Sequence, residues 1–589
     1  MTEIGLISKS LMNMMHPGFI MMGFGVLVLF LPDSFRKPVT LIAPVLATFG
    51  LLNIPHGTSL EHLVGNFITI KYMYVDGLTH AFLLAFCVIS ILAAIYSYGV
   101  QERLESVMSL IYAGSMMSVV MSGGFISLIV FWEIAAIAST YLVYARRTFK
   151  SRRAAFRYLL MHAFGGNALL AGLLIYIFHY GNNIENIMHS YGEASFWLIL
   201  IGVAVNAAIP PLNSWLSDAY PESTISGTVY LGSFTTKAAI YVMIRLFAGW
   251  EVLLWVGAIM ALYGACMAIM ENDIRRLLSY HIVSQLGMMI VAIGCEGVAG
   301  INGATAHAVT NIMFKGTLLM AAGTILYSTG KSKITDLGGL GKKMPFTSAC
   351  FLISSLAIAG LPGLSGFVSK ALITDAVAAT GNSTIGILLT MAGVGTLLSI
   401  TLKINYYVFF GTQEDNACEI EVKKPLWTMR IAMIVSTCIS IGIGVFPGQF
   451  YRTMPELTAV NPYTPGHVLE YIAIFIGGSI PFFIFLKKMK PHDEYTLDFD
   501  WFYRKILNSL VKWLSKGLIT LFTRTERLVT ESISYIGKRL SNPYLIISNS
   551  SNEKIRQYSF ENEDMPIGHA ILAIIFALSV MIIIAIVIV

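Results

Sequence analysis

Apolar runs long enough to cross a bilayer recur along the whole chain, at about 17–31, 39–54, 73–98, 106–121, 124–145, 157–179, 195–217, 224–248, 251–270, 276–296, 303–328, 344–376, 383–410, 426–446, 467–487 and 567–589. That gives about sixteen spans. The runs do not alternate in hydrophobicity as barrel strands would, so the spans are expected to be helices. Composition agrees. Only 12% of the 589 residues are charged, half the ~25% of soluble domains. The chain reads as an all-α polytopic membrane protein. Its net charge of +6 comes from basic residues in short loops between apolar runs, which argues against a nucleic-acid partner. The six cysteines form no CxxC pair and read as small apolar residues. The first run lacks a basic flank and a small-residue cleavage site, and is expected to be a retained helix.

Orientation follows from the lysines and arginines. The loop after the fifth span carries Arg146, Arg147, Lys150, Arg152, Arg153 and Arg157. If that loop is cytoplasmic, Arg36/Lys37, Arg275/Arg276, Lys331/Lys333/Lys342/Lys343 and Lys423/Lys424 are cytoplasmic as well. The opposite loops at 55–72, 180–194, 297–302 and 447–466 are nearly free of basic residues. The N-terminus is then expected outside.

Two spans are expected to be broken, the seventh at Pro210-Pro211 and the twelfth at Gly360-Leu361-Pro362-Gly363. Discontinuous helices in corresponding positions point to an ion path at the midplane. Spans 4–8 and 9–13 form the candidate pair of units. The organisation expected is N-terminal helices over 1–105, a first half over 106–250, a second over 251–410, further core helices over 411–490, an amphipathic stretch with a polar loop over 491–566, and a last span over 567–589. The stretch from Asp500 to Leu540 repeats apolar residues at helical spacing with Lys and Arg between them, as a helix lying in the interface plane or along neighbouring subunits does.

Function is legible in charges at membrane depth. Lys237 sits in the middle of the run Thr224–Ala248, which reads as one crossing helix. A lysine there costs roughly 3 kcal/mol, so something must meet its charge or use it. Arg245, nearer the surface, is placed to snorkel. Glu133 lies in the fifth span. A lysine whose proton affinity depends on a nearby Glu133 is a switchable proton site. His307, Asn311 and Lys315 are spaced i, i+4, i+8 and line one helix face, a polar stripe that reads as a hydrated path. Lys370 follows the break in the twelfth span. Arg275 stands at a helix start, balanced between a path residue and an anchor paired with Asp273. Asp76, Asp218 and Glu222 border spans and read as loop or cap residues. Asp218 and Glu222 are also placed to line a cytoplasmic mouth. No phosphate loop, metal-spaced His/Cys cluster or nucleophile with its base is present in the sequence, so no cofactor, metal or catalytic residue is assigned.

Trp132-Glu133, Trp215-Leu216-Ser217-Asp218-Ala219, Asp273-Ile274-Arg275-Arg276-Leu277-Leu278-Ser279-Tyr280 with Ser284-Gln285-Leu286-Gly287, Phe314-Lys315, and Gly363-Leu364-Ser365-Gly366-Phe367-Val368-Ser369-Lys370 resemble the antiporter-like subunits shared by respiratory complex I and Mrp-type cation/proton antiporters. The likeness runs over about 70–450. It implies a core of about fourteen helices in two inverted five-helix units, with broken helices and a hydrophilic axis at mid-membrane. Residue by residue it implies that Glu133 is the glutamate that pairs with a lysine. Lys237 is then the central lysine, and Arg275 stands where lysine is frequent. His307 and Lys315 match the histidine–lysine connection, with Asn311 between them. Lys370 matches the terminal exchanging group. One departure stands out: the usual lysine of the broken seventh span is Asn206 here. Either Glu133 pairs with Lys237 instead, or the first half works differently. The tail is similar to the lateral helix of the largest complex I antiporter-like subunit, though shorter.

The reading that results is a proton-translocating or Na+/H+-exchanging subunit of an Mrp-type antiporter in a bacterial cytoplasmic membrane, with other membrane subunits as partners. The alternative is the same kind of subunit in an NADH:quinone oxidoreductase or membrane hydrogenase, where it would form part of a translocase without a catalytic centre of its own. A structural scaffold ranks below both, because buried ion pairs stabilise poorly compared with apolar packing.

Overall fold

A computed structural model describes residues 15–64, 68–411, 421–456, 460–486, 490–491, 498–499, 501, 505–506 and 508–540. They fall in two compact units, Met1–Tyr503 and Arg504–Val589. In the first, the chain runs through α1 (Pro17–Phe30), α2 (Asp33–Leu52), the hairpin β1 (Thr58–Val64) and β2 (Ile68–Val75), α3 (Gly77–Ser97), α4 (Arg103–Met121), α5 (Phe125–Tyr144), α6 (Phe149–Tyr180) and α7 (Ala194–Asn206). It continues through α8 (Ser214–Ala219), α9 (Ile225–Ser233), α10 (Thr235–Phe247), α11 (Val252–Met270), α12 (Ile274–Gly294), α13 (Gly297–Thr329), α14 (Leu340–Lys343), α15 (Pro345–Ala359) and α16 (Ser365–Ala379). Then come α17 (Ser383–Thr396), which runs on as a π-helical stretch Leu397–Phe410, α18 (Trp427–Val445), α19 (Pro447–Tyr451) and α20 (Pro465–Ile484). Among the described residues, 11 helices are long and apolar enough to cross a membrane, and α1, α7 and α15 are shorter apolar helices.

The hairpin is a departure from the sequence reading, which takes 55–72 as loop. The strands pair antiparallel from Thr58 opposite Val75 to Val64 opposite Ile68, with a bulge at Leu60/Glu61. Its Val, Ile and Tyr residues suit a pleated surface that covers the ends of the helices.

Helices α12 and α13 form the centre. The crossing segment of α12 is wholly buried and that of α13 almost so. α11 lies against α12 at van der Waals backbone distance, because a Cβ at Gly264 would stand 2.5 Å from Ser284 N and 2.7 Å from Tyr280 O. Small residues permit this approach where no hydrophobic force drives helices together.

Both predicted breaks are present. α7 stops at Asn206 and the chain passes the cis Pro210-Pro211 bond before α8. α15 stops at Gly360 (φ 96°), and Gly363 (φ 91°) turns the chain into α16. Both φ values lie where only glycine sits without strain. A third break corrects the reading of 224–248 as one helix: the run divides at Phe234, with φ −105° and ψ −68°. The Thr235 N–H, which loses its helical acceptor there, donates to Tyr112 Oη at 3.0 Å, and the Thr235 and Tyr112 hydroxyls are 2.6 Å apart. A hydroxyl from α4 therefore stabilises an interruption that no Gly or Pro marks.

In the second unit, α21 (Asn508–Leu540) is a 33-residue helix carrying the predicted amphipathic pattern. The polar loop 541–566 and the last span 567–589 lie outside the described residues.

Candidate functional site

The buried charges gather at the helix breaks. The last carbonyls of a helix have no partner within it, and a cation is favourable there. Lys237, in the first turn of α10 and fully buried, donates through Nζ to the Gly232 carbonyl of α9 at 2.8 Å. Lys370 on α16 does the same at the second break, donating to the Ile358 carbonyl at 2.7 Å and reaching Ala359 O at 3.4 Å. A third buried lysine, Lys403, does not stand out in the sequence. It caps the end of α11, donating to Ile269 O at 2.7 Å and Glu271 O at 2.8 Å.

Between the two breaks runs the stripe on α13. His307 bridges α12 and α16, with Nε2 3.1 Å from Gln285 Oε1 and Nδ1 3.0 Å from Ser369 Oγ. Thr310 donates to the same Ser369 hydroxyl at 2.8 Å, and Ser369 precedes Lys370 in the chain. Lys315 and Asn311 are buried, and neither Lys315 Nζ nor either polar atom of Asn311 has a hydrogen-bond partner among the described residues. Lys315 lies within electrostatic reach of Lys237, and His307 within reach of both Lys237 and Lys370. His281 on α12 is a further member that the sequence reading passes over. It is fully buried, Nε2 is 2.7 Å from Ser399 Oγ, and it feels both Lys315 and Lys370. Its signal in the sequence is the i, i+4 spacing to Gln285. From Lys370 a cavity of about 330 Å³ opens between α16, α17 and α20, past Thr374, Asn382, Glu470 and Tyr471.

Glu133 is not joined to this file. It is half-buried on α5, its Oε1 is buried without a hydrogen-bond partner among the described residues, and its carboxylate lies against Gly166 of α6. No hydrogen bond or ion pair links it to Lys237, which is instead committed to Gly232. The suggested Glu133–Lys237 pair is therefore absent from this conformation. At the break at Phe234 the ammonium instead meets a carbonyl left free by the end of α9. Asn206 terminates α7 and is buried, with Oδ1 unpartnered among the described residues.

Arg275 is neither free nor paired with Asp273. Its guanidinium holds the turn before α9, donating to Pro221 O (2.7 Å), Ser223 O (2.9 Å), Thr224 O (3.1 Å), Tyr220 O (3.2 Å) and the Thr228 hydroxyl. Asp273 instead accepts the Arg275 and Arg276 backbone N–H groups as the N-cap of α12. Glu105 of α4 grips the same turn, accepting from the Thr224 and Ser226 hydroxyls. Asp218 takes a bidentate bond from Arg157 at 2.6 and 2.8 Å, and Glu222 pairs with Arg146 at 3.3 Å. Both acids thus sit at the face of the basic loops. Asp76 caps α3 and binds Arg245 at 2.6 Å, so Arg245 is an ion-pair partner and does not snorkel. Burial alone would raise the Asp76 carboxyl, but the guanidinium outweighs it and holds the group below the usual carboxylate range.

Residues 122–399 match the family model described as NADH:quinone oxidoreductase/Mrp antiporter, TM. A Na(+)/H(+) antiporter subunit from Alkalihalophilus pseudofirmus is 31% identical over 440 residues, covering 66% of this chain and 54% of that one. The chain thus spans about half the length of the curated relatives it matches. In fold it is similar to a chain of the Mrp complex from Dietzia sp. DQ12-45-1b (TM-score 0.63, 20% identity, 80% of this chain and 98% of that one). It is also similar to a chain of the membrane-bound sulfane sulfur reductase, an archaeal respiratory membrane complex (TM-score 0.67, 22% identity, 96% and 99%). With its apolar helices, its broken spans and this match, the chain carries over residues 122–399 the membrane region described for NADH:quinone oxidoreductase/Mrp antiporter and is similar as a whole to antiporter-like membrane subunits.

Proposed function

We propose that the chain is the proton-translocating subunit of a multisubunit Mrp-type cation/proton antiporter in a cytoplasmic membrane, with the basic loops inside. The observation that carries this is the file Lys237, Lys315, His281/His307, Lys370: five protonatable groups buried at membrane depth, with His307 at its centre held by Gln285 and Ser369. Charges so placed are expensive unless they are used. Protons enter at the Asp218/Glu222 face, pass the region of Glu133 and reach Lys237. They then run along the α13 stripe and leave from Lys370 through the cavity lined by Thr374 and Glu470. Each hop changes the charge felt by the next group. Asn311 and Lys315, whose polar atoms lack partners among the described residues, are where mobile hydrogen-bonding partners complete the path. Arg275 positions the turn at the break, and Na+ is the expected exchanged ion. The test is cation-driven proton exchange in everted vesicles. Lys237→Ala and Glu133→Gln should each abolish it, and wild-type exchange in both would overturn the reading.

A second reading places the same path in a redox-driven respiratory complex. The amphipathic helix α21 favours it, being suited to lie along neighbouring subunits. Co-purification separates the two: flavin and iron–sulfur subunits support the respiratory complex, and a set of small membrane subunits supports the antiporter.

A further inference from the structure

The first half of the chain leaves a gap in this path. The carboxylate of Glu133 and the acid of the mouth, Asp218, are on different helices, and Asp218 is fully engaged by Arg157. One ionisable side chain stands between them that nothing above has used. His162 is on α6, one turn after Tyr158 and one turn before Gly166. Gly166 is where the Glu133 carboxylate lies against α6, so closely that a Cβ there would overlap it. Five residues before His162 on the same helix is Arg157, the partner of Asp218. A helical side chain points back toward its own N-terminus, so the imidazole lies on the Arg157 side of Glu133. Its ring contacts agree: it is 4.0 Å from Tyr158 and 4.7 Å, edge-on, from Trp215 on α8.

The ring is placed but not bonded to completion. His162 is 3% exposed, and its Nε2 has no hydrogen-bond partner among the described residues. The buried atoms Glu133 Oε1 and Asn206 Oδ1 share that property, and Asn206 is the polar side chain that the imidazole faces on α7. His162 and Asn206 thus meet between α6 and α7, and the Glu133 carboxylate of α5 lies against α6 one turn further on, at Gly166, with its buried Oε1 lacking the partner that such groups normally find. The ionisable groups facing the imidazole from its surroundings are few. Tyr158 of α6 touches the ring, while Glu133 of α5 lies one turn along α6 at Gly166 and the Asp218–Arg157 pair lies on the other side, with no hydrogen bond or ion pair joining either to the ring, and α7 contributes no charged group.

We propose that His162 is the proton-carrying group of the first half, taking a proton from the Asp218 mouth at one ring nitrogen and passing it from the other toward Glu133, with Asn206 and Trp215 setting the ring's orientation. The step is a proton transfer only: an N–H bond forms on one side of the ring as the N–H bond on the other side breaks. This rests on the proposed function above.

The test is exchange by the assembled complex in everted vesicles, whose outer face is the cytoplasmic one, as a function of external pH. The amount of complex is read from native gels. His162→Gln keeps a hydrogen-bonding side chain of similar length but cannot titrate. It should lower exchange by about tenfold or more and remove one limb of the pH profile, with the amount of complex unchanged. If His162→Gln exchanges at the wild-type rate with the wild-type pH profile while Glu133→Gln and Lys237→Ala are inactive, the relay through His162 is wrong and the antiporter reading stands. If all three exchange normally, the antiporter reading itself fails. A loss in His162→Gln that follows the amount of complex alone, with the pH profile intact, marks a structural histidine and also overturns the proposal.

Discussion

Lys315 separates cost from use at the level of one side chain. It is buried without a hydrogen-bond partner among the described residues, on the face of α13 that also carries Asn311 and His307. An apolar residue of similar length should be tolerated there, since replacing a buried charge by apolar packing is neutral or stabilising by ~1 kcal/mol or more. Lys315→Met is therefore expected to leave the melting temperature of the purified complex unchanged or raised, while exchange falls by about 100-fold. A loss of stability with exchange retained would assign the lysine to packing. Asp76 is the opposite case, a carboxylate whose role is structural. It is held low by Arg245, so its contribution is complete above the ordinary aspartate value of ~3.9 and fades as pH falls through the lowered native value. Asp76→Asn should melt below the wild type at neutral pH and converge on it under acid conditions, as thermal melts at a series of pH values would read.

The breaks decide where charges can rest at the level of helices, and they differ in how readily the sequence gives them away. Pro210-Pro211 and Gly360–Gly363 announce themselves, because proline removes a donor and glycine admits positive φ. The break at Phe234 does not. It depends on Tyr112, more than a hundred residues away in the chain, and so has no local signature. Tyr112→Phe should leave the Thr235 N–H without its partner at a cost of about 1–3 kcal/mol and impair exchange by letting the Lys237 end of α10 move. Exchange and melting both unchanged would mean that the break is fixed elsewhere. The same contrast holds for side chains. Glu133, Lys237, His307, Lys315 and Lys370 stand out as charges in apolar runs or beside marked breaks. His162, His281 and Lys403 also lie in apolar runs, but no break, charge stripe or marked motif sets them apart there, and their burial shows only once the helices pack. The structure reassigns Arg275 for a related reason: a run of carbonyls that only the folded turn 220–224 presents.

At the scale of the chain, unit Met1–Tyr503 contains the whole file of buried groups, and α21 belongs to the other unit. The end of the first unit is pinned to its own core: Asp498 is buried and accepts from the hydroxyls of Tyr280 (2.7 Å), Tyr263 and Ser217. Removing 504–589 is therefore expected to leave a folded, membrane-inserted core with Asp498 in place, and to reduce the partner subunits that co-purify with it. Failure of the truncated chain to insert would show that the core needs its tail.

Lys237, Lys370 and Lys403 each rest on the carbonyl end of a helix other than their own. An ammonium is attracted to that end and a neutral amine far less so. The proton on such a lysine is therefore also a fastener, and its departure loosens two pieces of backbone from each other. In the proposed path a chain wired in this way would be a transducer: moving a charge would shift a half-helix, and pushing a half-helix would change where the next proton sits.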